Sequence, residues 1–421
     1  MVNIALIGLG TVGTGVLEIL TKERQRIKEN TGCEFNIKKI LVKDIRKKRD
    51  HNIDPGVLTE NPDDIFKDNG IGIVVELSSG NEDIAAKHML LALENNKHVV
   101  TAGKAAVAKH WDALFETAAK HRRFLLFEGA VGGVIPVMEL FDYLSSNEVS
   151  EIIGIINGTT NYILTRMEEG MEYEKALALA QEKGYAEVPP DLDVLGFDSA
   201  SKISLLASRS FQTRVDPSKV YTEGITAITQ ADFRFAKDKG YAIKLIASAR
   251  NSGQHVHVSV YPAFTKDPIL SNVKEAMNAI KVIGSYSGPI TIVGQGAGRY
   301  PTATAVVHDI LCIASGADSA LRWKEKGIRV NEKDFPSKGY FRIHLSHRPG
   351  SLSIASGIIG DCGISIEETA QYKDMLDTST NCMPWFFVTE PTAQSNIEKV
   401  MAALGKCDRV VGKPMYMRVL A

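Results

Sequence analysis

Val2-Asn3-Ile4-Ala5-Leu6-Ile7-Gly8-Leu9-Gly10-Thr11-Val12-Gly13 decides the fold class of this 421-residue chain. Residues 3–7 form an apolar run with strand character. The next six read Gly-x-Gly-x-x-Gly, and a helical pattern follows. In that order Gly8 allows a tight turn, Gly10 lets the backbone approach a pyrophosphate, and Gly13 lets the helix pack on the sheet. Thr11 and Val12 then offer main-chain N–H groups at a helix N-terminus, where the positive dipole end suits an anion. A purely structural glycine-rich turn is the other reading, and the strand-to-helix setting favours a dinucleotide site.

Outward from this stretch, short apolar runs alternate with amphipathic ones. Residues 37–42, 72–77, 98–101 and 124–127 are expected as strands, and 83–94 and 112–120 as helices between them. That alternation predicts an α/β domain, a doubly wound parallel sheet of Rossmann type covered on both faces. It occupies residues 1–134, with a returning helix at about 300–320. From 135 to 299 the pattern becomes α+β. Strands are expected at 151–157, 241–250, 256–261 and 291–293, and helices at 137–145, 173–183 and 198–209. Residues 321–339 are polar, with Pro336 and Gly339, and read as a linker. Residues 340–421 give strands at 340–346, 365–369, 385–389 and 415–420 and helices at 351–361 and 396–404. This is the β-α-β-β-α-β order of a ferredoxin-like unit.

Composition narrows the function classes. A net charge of −1 argues against a nucleic-acid surface. No apolar run reaches the roughly 18 residues that span a bilayer, and the N-terminus lacks a basic leader. Five scattered cysteines without a Cys-x-x-Cys pair fit free thiols in a reducing cytoplasm.

Several motifs carry chemistry. After the second strand, Lys43-Asp44-Ile45-Arg46-Lys47-Lys48-Arg49 combines an acid that suits a ribose 2′-hydroxyl with cations that suit a 2′-phosphate. The cations, Lys43 and Arg46 among them, tilt the reading toward NADP over NAD. A solvated basic loop has the same composition. Thr101-Ala102-Gly103-Lys104 follows a parallel strand's carboxyl end, where ligands bind in open α/β sheets. Glu128-Gly129-Ala130-Val131-Gly132-Gly133-Val134-Ile135 permits unusual backbone angles, as a hinge or as a loop whose carbonyls meet on a cation. Gly154-Ile155-Ile156-Asn157-Gly158-Thr159-Thr160-Asn161, at a strand-to-helix junction, either lines a polar pocket or caps a helix. In Gly196-Phe197-Asp198-Ser199-Ala200-Ser201-Lys202 a carboxylate and an ammonium stand four apart on a helix. A surface ion pair has that spacing too. Here the flanking Ile203, Leu205 and Leu206 imply burial, and Glu187, Asp191 and Asp193 crowd just upstream.

Taken together, these segments resemble homoserine dehydrogenases that carry a C-terminal ACT domain. The resemblance rests on Asn157–Leu164, Gly184-Tyr185-Ala186-Glu187, Asp193–Lys202 and Gly294-Gln295-Gly296-Ala297-Gly298-Arg299-Tyr300-Pro301. It implies NAD(P)H-dependent reduction of L-aspartate 4-semialdehyde to L-homoserine, on the route to threonine, methionine and isoleucine. Lys202 would give a proton to the carbonyl oxygen, and Asp198 would orient it. Glu187 and Asp193 would hold the substrate's amino group, with Gly158 and Thr159 beside them. Lys104 would bridge nicotinamide and substrate. Ser78, Ser79, Thr101 and Gly296 would join the glycine turn in holding the dinucleotide. The backbone carbonyls of Glu128, Val131, Gly133 and Ile135 would hold Na+ or a similar monovalent cation.

Some positions depart from the family. Gly103 replaces Asn, Val134 replaces Gly, Ser78-Ser79 stands for a Gly pair, and Pro189 replaces Asp. The tail resembles an ACT domain through His347-Arg348-Pro349-Gly350-Ser351-Leu352, with His347 where Asp is usual. That implies an amino-acid effector such as threonine, or a domain that only aids assembly, in a homodimer or homotetramer. Two other functions compete: a dehydrogenase for another amino-acid semialdehyde, and a sensor that binds nucleotide and amino acid without turnover.

Overall fold

The computed structural model describes residues 1–47, 49, 53–316, 327–330 and 336–420. The chain divides into two compact units. One comprises Met1–Ile152, Ser201–Val220 and Met277–Ile328; the other comprises Ile153–Ala200, Tyr221–Ala276 and Arg329–Ala421.

In the first unit a six-stranded sheet has the order Leu58–Thr59, Phe35–Leu41, Val2–Ile7, Ile73–Glu76, His98–Thr101, Leu125–Leu126. Every pairing in it is parallel. Numbered along the chain the order is 3-2-1-4-5-6, the doubly wound arrangement that binds dinucleotides. Ile4, Ala5, Leu6 and Ile7 are all buried, as a strand covered on both faces requires. Helix Arg299–Ala314 returns to this sheet and packs along helix Thr11–Lys22. Gly15 makes the contact possible, because a Cβ there would lie 2.9 Å from that of Ala303. Residues 317–320 of the expected returning helix lie outside the described residues. The expected strand at 291–293 is longer, Gly288–Gln295, and forms an antiparallel hairpin with Met277–Gly284.

In the second unit the sheet is mixed. Ala242–Asn251 pairs antiparallel with His255–Thr265, and Met415–Leu420 runs parallel to His255–Thr265 on its other side. Lys338–Ser346, Cys382–Thr389 and Ile366–Gln371 follow in that order. The C-terminal elements keep the expected β-α-β-β-α-β sequence, with helices Ser351–Asp361 and Gln394–Leu404. Their sheet is an extension of the central one. Of the expected linker, 321–326 and 331–335 lie outside the described residues. Arg329–Val330 within it is a short strand paired with His255 and Val256.

Strand Lys338–Ser346 is buried on both faces. Phe341, Ile343 and Leu345 pack under the two C-terminal helices. On the opposite face the Tyr340 ring lies 4.6 Å from that of Phe264 and 5.0 Å from that of Phe235. Beside it Arg342 pairs with Asp232, which also accepts the Tyr340 hydroxyl at 2.7 Å. Burial pushes the Asp232 carboxyl up while Arg342 pulls it back down.

Helix Gly158–Glu168 begins at the expected strand-to-helix junction but had no expected extent, and helix Gln230–Lys239 was not among the expected elements. The first is buried from Thr159 to Thr165 with no wet face, so it has no 3.6-residue alternation to read. The second is strongly polar and is fixed by a Thr229–Asp232 capping box and a left-handed Gly240 at its end. All five cysteines are free. Among the described residues no helix is long and apolar enough to cross a membrane.

Candidate active site

The glycine turn has the geometry its spacing requires. Gly8 adopts φ +93°, and a Cβ on it would lie 2.8 Å from the Leu77 carbonyl. A Cβ on Gly13 would lie 2.4 Å from the Gly8 oxygen, so helix and turn touch through backbone alone. Gly10 is different: nothing lies within 4 Å of where its Cβ would be. It is the N-cap of helix Thr11–Lys22 and has no side-chain cap, which leaves the first N–H groups open to a ligand. A cavity of about 500 Å³ opens there, lined by Gly8, Gly10, Lys43, Asp44, Ser78 and Ser79, among others.

The exposed loop after the second strand is tied back by local hydrogen bonds. The Arg49 guanidinium donates to the Asp44 carbonyl at 2.7 Å and to the Lys47 carbonyl at 2.8 Å. Asp44 accepts from the Arg46 N–H at 2.8 Å, and Glu60 accepts from the Ile45 N–H at 2.8 Å. Lys43, Lys47 and Arg49 line the cavity together with Asp44 and Glu60. Arg46 is not among its lining residues; it stands exposed with Nε 3.5 Å from Asp44. Lys48 lies outside the described residues.

Beneath the turn, Glu76 ends its strand fully buried. Ser78 donates to it through its N–H at 3.1 Å and through its hydroxyl. The other carboxylate oxygen, Oε2, has no hydrogen-bond partner among the described residues. Burial pushes this carboxyl up. The Thr101 hydroxyl donates to the Glu76 carbonyl at 2.9 Å and accepts from the Gly103 N–H at 2.9 Å. Lys104, half-buried, then opens helix Lys104–Lys109. Gly296 follows strand Gly288–Gln295, and a Cβ there would collide with Asn278 at 1.9 Å.

Glu128 is buried, and its carboxylate accepts from the N–H groups of Val137, Met138 and Glu139 at 2.9–3.0 Å. It therefore caps helix Val137–Tyr143. Burial pushes its carboxyl up to about 7 against those three bonds. Gly132 and Gly133 both have positive φ, at +76° and +60°, and reverse the chain before Ile135. Val134 is not among the positive-φ residues, so a branched side chain is accommodated without strain where the family has Gly. Of the carbonyls assigned to a cation, that of Glu128 accepts the Val131 N–H at 3.3 Å and that of Ile135 the Val137 N–H at 2.9 Å. Among the described residues, no cluster of three or more His, Cys, Asp or Glu side chains could hold a metal.

In the second unit two of the acids, Asp193 and Asp198, converge on the start of helix Gly158–Glu168. Asn157, its N-cap, donates through Nδ2 to Asp193 at 2.6 Å and to Asp198 at 2.9 Å. Its Oδ1 accepts from the Thr160 N–H at 2.8 Å and hydroxyl at 2.9 Å. Capping a helix and organising polar side chains are therefore the work of one residue. Gly158 sits where a Cβ would lie 2.7 Å from the Ala276 carbonyl. The Thr159 hydroxyl donates to the Tyr185 carbonyl at 2.6 Å, and the Tyr185 and Tyr162 rings lie 4.9 Å apart. This fastens the loop that carries the exposed Glu187. Lys244, fully buried, donates to the Asn161 carboxamide at 3.1 Å and the Val273 carbonyl at 2.5 Å. Burial pushes its ammonium down to about 8.

Asp198 lies in the first turn of helix Phe197–Phe211, and Lys202 follows one turn later; each is half-buried. The division between the two units falls between them, after Ala200.

Glu76 is absent from the sequence-derived site residues, and Asn157 was read only within a stretch that lines a pocket or caps a helix, with no site role of its own. For Asn157 the signal was its place in a capping position ahead of a Thr-Thr pair. For Glu76 it was a carboxylate closing an otherwise apolar strand.

Comparison with known proteins assigns the chain. Residues 8–128 match the model of the homoserine dehydrogenase NAD-binding domain, and residues 136–311 match the homoserine dehydrogenase model. A homoserine dehydrogenase of Bacillus subtilis is 36% identical over 380 residues, which are 88% of this chain and 87% of that protein. One of Synechocystis is 35% identical over the full length of both. The crystal structure of a homoserine dehydrogenase from Thiobacillus denitrificans superposes with a TM-score of 0.90 at 33% identity, covering 100% of this chain and 98% of that one. The chain belongs to the homoserine dehydrogenase family.

Proposed function

We propose that the two sites described above divide the family's reaction between them. The protein is an NAD(P)-dependent oxidoreductase that reduces L-aspartate 4-semialdehyde to L-homoserine, reversibly. In this reading Gly8, Gly10, Thr11, Val12 and Gly13 hold the pyrophosphate, and Ser78, Ser79, Thr101 and Gly296 complete the dinucleotide site. The bound nicotinamide supplies the hydride. Glu187 and Asp193 hold the substrate ammonium, with Gly158 and Thr159 beside it. Lys104 lies between nicotinamide and substrate. Lys202 delivers a proton to the carbonyl oxygen as negative charge develops there, and Asp198 orients that ammonium.

The observation that carries this reading is the convergence of Asp193 and Asp198 on a single amide nitrogen, one helical turn before Lys202. An accidental cluster of surface acids has no reason to be built around a buried asparagine.

The division of labour follows the chain. Residues 1–134, with the returning helix, bind nucleotide. Residues 135–299 bind substrate and form the dimer, and residues 340–421 after the linker serve as an ACT regulatory domain that takes threonine. The cations Lys43, Lys47 and Arg49 favour NADP, with Asp44 and Glu60 leaving NAD usable. A monovalent cation such as Na+ fits the 128–135 loop through the carbonyls of Glu128, Val131, Gly133 and Ile135. The setting is cytoplasmic biosynthesis of threonine, methionine and isoleucine, with a homodimer or homotetramer as the working form.

The test is NAD(P)H formation from L-homoserine at alkaline pH, with NADP+ and NAD+ in parallel and with and without L-threonine. Turnover with a higher rate on NADP+, suppressed by threonine, is the expected result. Folded protein that binds NADPH but turns over neither cofactor would overturn the substrate assignment.

A further inference from the structure

We infer that Asn157 is a positioning residue for the reaction: its carboxamide sets the substrate-binding Asp193 and the lysine-orienting Asp198 at a fixed separation. The inference rests on the roles proposed above for those two acids.

Four features carry it. First, the carboxamide's hydrogen-bonding capacity is fully used. The two amide hydrogens go to two different carboxylates, Asp193 at 2.6 Å and Asp198 at 2.9 Å. The two carbonyl lone pairs take the Thr160 N–H and hydroxyl. Such a group cannot rotate without losing all four bonds. Second, Asn157 is only 4% exposed, so its bonds are not exchanged for water. Third, the three partners come from separate elements. Asn157 follows strand Val149–Ile155, Asp193 is on the short helix Asp191–Val194, and Asp198 opens helix Phe197–Phe211. No single element's geometry could fix the two acids relative to each other. Fourth, the anchor is itself held: Asn161, one turn into the same helix, donates to the Val273 and Glu275 carbonyls at 3.2 and 2.9 Å and accepts from buried Lys244.

The chemistry needs such a residue. Two carboxylates facing one another repel, and an amide nitrogen donating to both offsets that repulsion and sets their spacing. Asp193 is thereby placed to meet a substrate ammonium, and Asp198 to orient a lysine. A serine, threonine or aspartate would cap the helix equally well, yet none supplies two donors in one plane.

The variant to make is Asn157→Ser, which keeps the cap and removes both amide donors. Steady-state kinetics with L-homoserine, NADPH binding by fluorescence and thermal unfolding are measured on the full chain. A KM rise of tenfold or more, a fall in kcat/KM of a hundredfold, and unchanged NADPH affinity are expected, with unfolding within a few degrees of the parent. Asp193→Asn and Asp198→Asn are measured beside it, and each is combined with Asn157→Ser. Positioning through those acids predicts double variants little worse than the poorer single one. A kcat/KM for Asn157→Ser within threefold of the parent, while the aspartate variants are impaired, overturns the inference. Aspartate variants that are themselves unimpaired overturn the placement of the substrate site instead. Should Asn157→Ser fail to fold, Asn157→Thr takes its place with the same expected split.

Discussion

Gly10 and Gly13 are both glycines of one motif, yet substitution by alanine should separate their roles. At Gly10 the backbone has φ −86° and ψ −158°, an extended conformation open to any residue, and the space beyond Cα is empty for 4 Å. Alanine there costs the free protein nothing and narrows the unfolded ensemble, a gain of about 0.4–1 kcal/mol. The added methyl group occupies the space a pyrophosphate must enter. Forcing a methyl-sized overlap costs about 1–3 kcal/mol, or roughly fivefold to somewhat over a hundredfold in Kd. At Gly13 the methyl would sit 2.4 Å from the Gly8 carbonyl oxygen, a rigid backbone atom. Helix Thr11–Lys22 has to lift off the turn, so the same 1–3 kcal/mol falls on the folded state whether or not cofactor is present. Urea unfolding and NADPH fluorescence titration on both variants give four numbers. Gly10→Ala should be about 0.4–1 kcal/mol more stable than the parent and lose affinity, and Gly13→Ala should lose both. Parent-like NADPH affinity in Gly10→Ala would refute the placement of the pyrophosphate. Parent-like stability in Gly13→Ala would refute the backbone contact.

Three further outcomes are expected. Lys202→Ala should lower kcat by about two to four orders of magnitude, the usual worth of a positioned acid, with NADPH affinity intact by titration. Arg342→Met leaves Asp232 buried without its cation, and a loss of about 3–5 kcal/mol is expected by urea unfolding, since breaking a buried pair strands the remaining charge. His98 accepts the Phe124 N–H through Nδ1 at 3.1 Å, and burial pushes its imidazole down to about 4 from 6.5. Its folded pKa is the lower one, so the unfolded chain binds more protons between those values. The His98 contribution is therefore complete above pH 6.5 and is lost as pH falls toward 4. His98→Gln should flatten that part of the stability–pH curve.

The sheet of the first unit was legible because its signals are local. Residues 3–7, the glycine spacing and the next three apolar runs each announce a strand or its turn within a few residues. The C-terminal elements were legible for the same reason. The surroundings of strand Lys338–Ser346 were not. Tyr340, Arg342 and His344 alternate with Phe341, Ile343 and Leu345 as if one face were wet. The partner that dries that face, Asp232, stands 110 residues earlier on a helix whose polar composition gives no apolar stripe. The acids at 187, 193 and 198 and Lys202 were visible as a crowd of charge. How they are held was not, because Asn157 reaches Asp193 and Asp198 across 36 and 41 residues of sequence. Hydrogen bonds of that span leave no periodicity to read.

Strand Met415–Leu420 is hydrogen-bonded on both edges, to His255–Thr265 on one side and to Lys338–Ser346 on the other. A segment attached in that way is tied in along its whole length. Sliding it by one residue would reverse the facing of every side chain in the strand, so it cannot creep in response to a small force. An effector seated on the C-terminal helices would act as a clamp on an already spliced plank, and its message would be carried as a change in stiffness. Deleting the segment would leave the edge of His255–Thr265 and the Phe235–Phe264 aromatic surface bare to other chains.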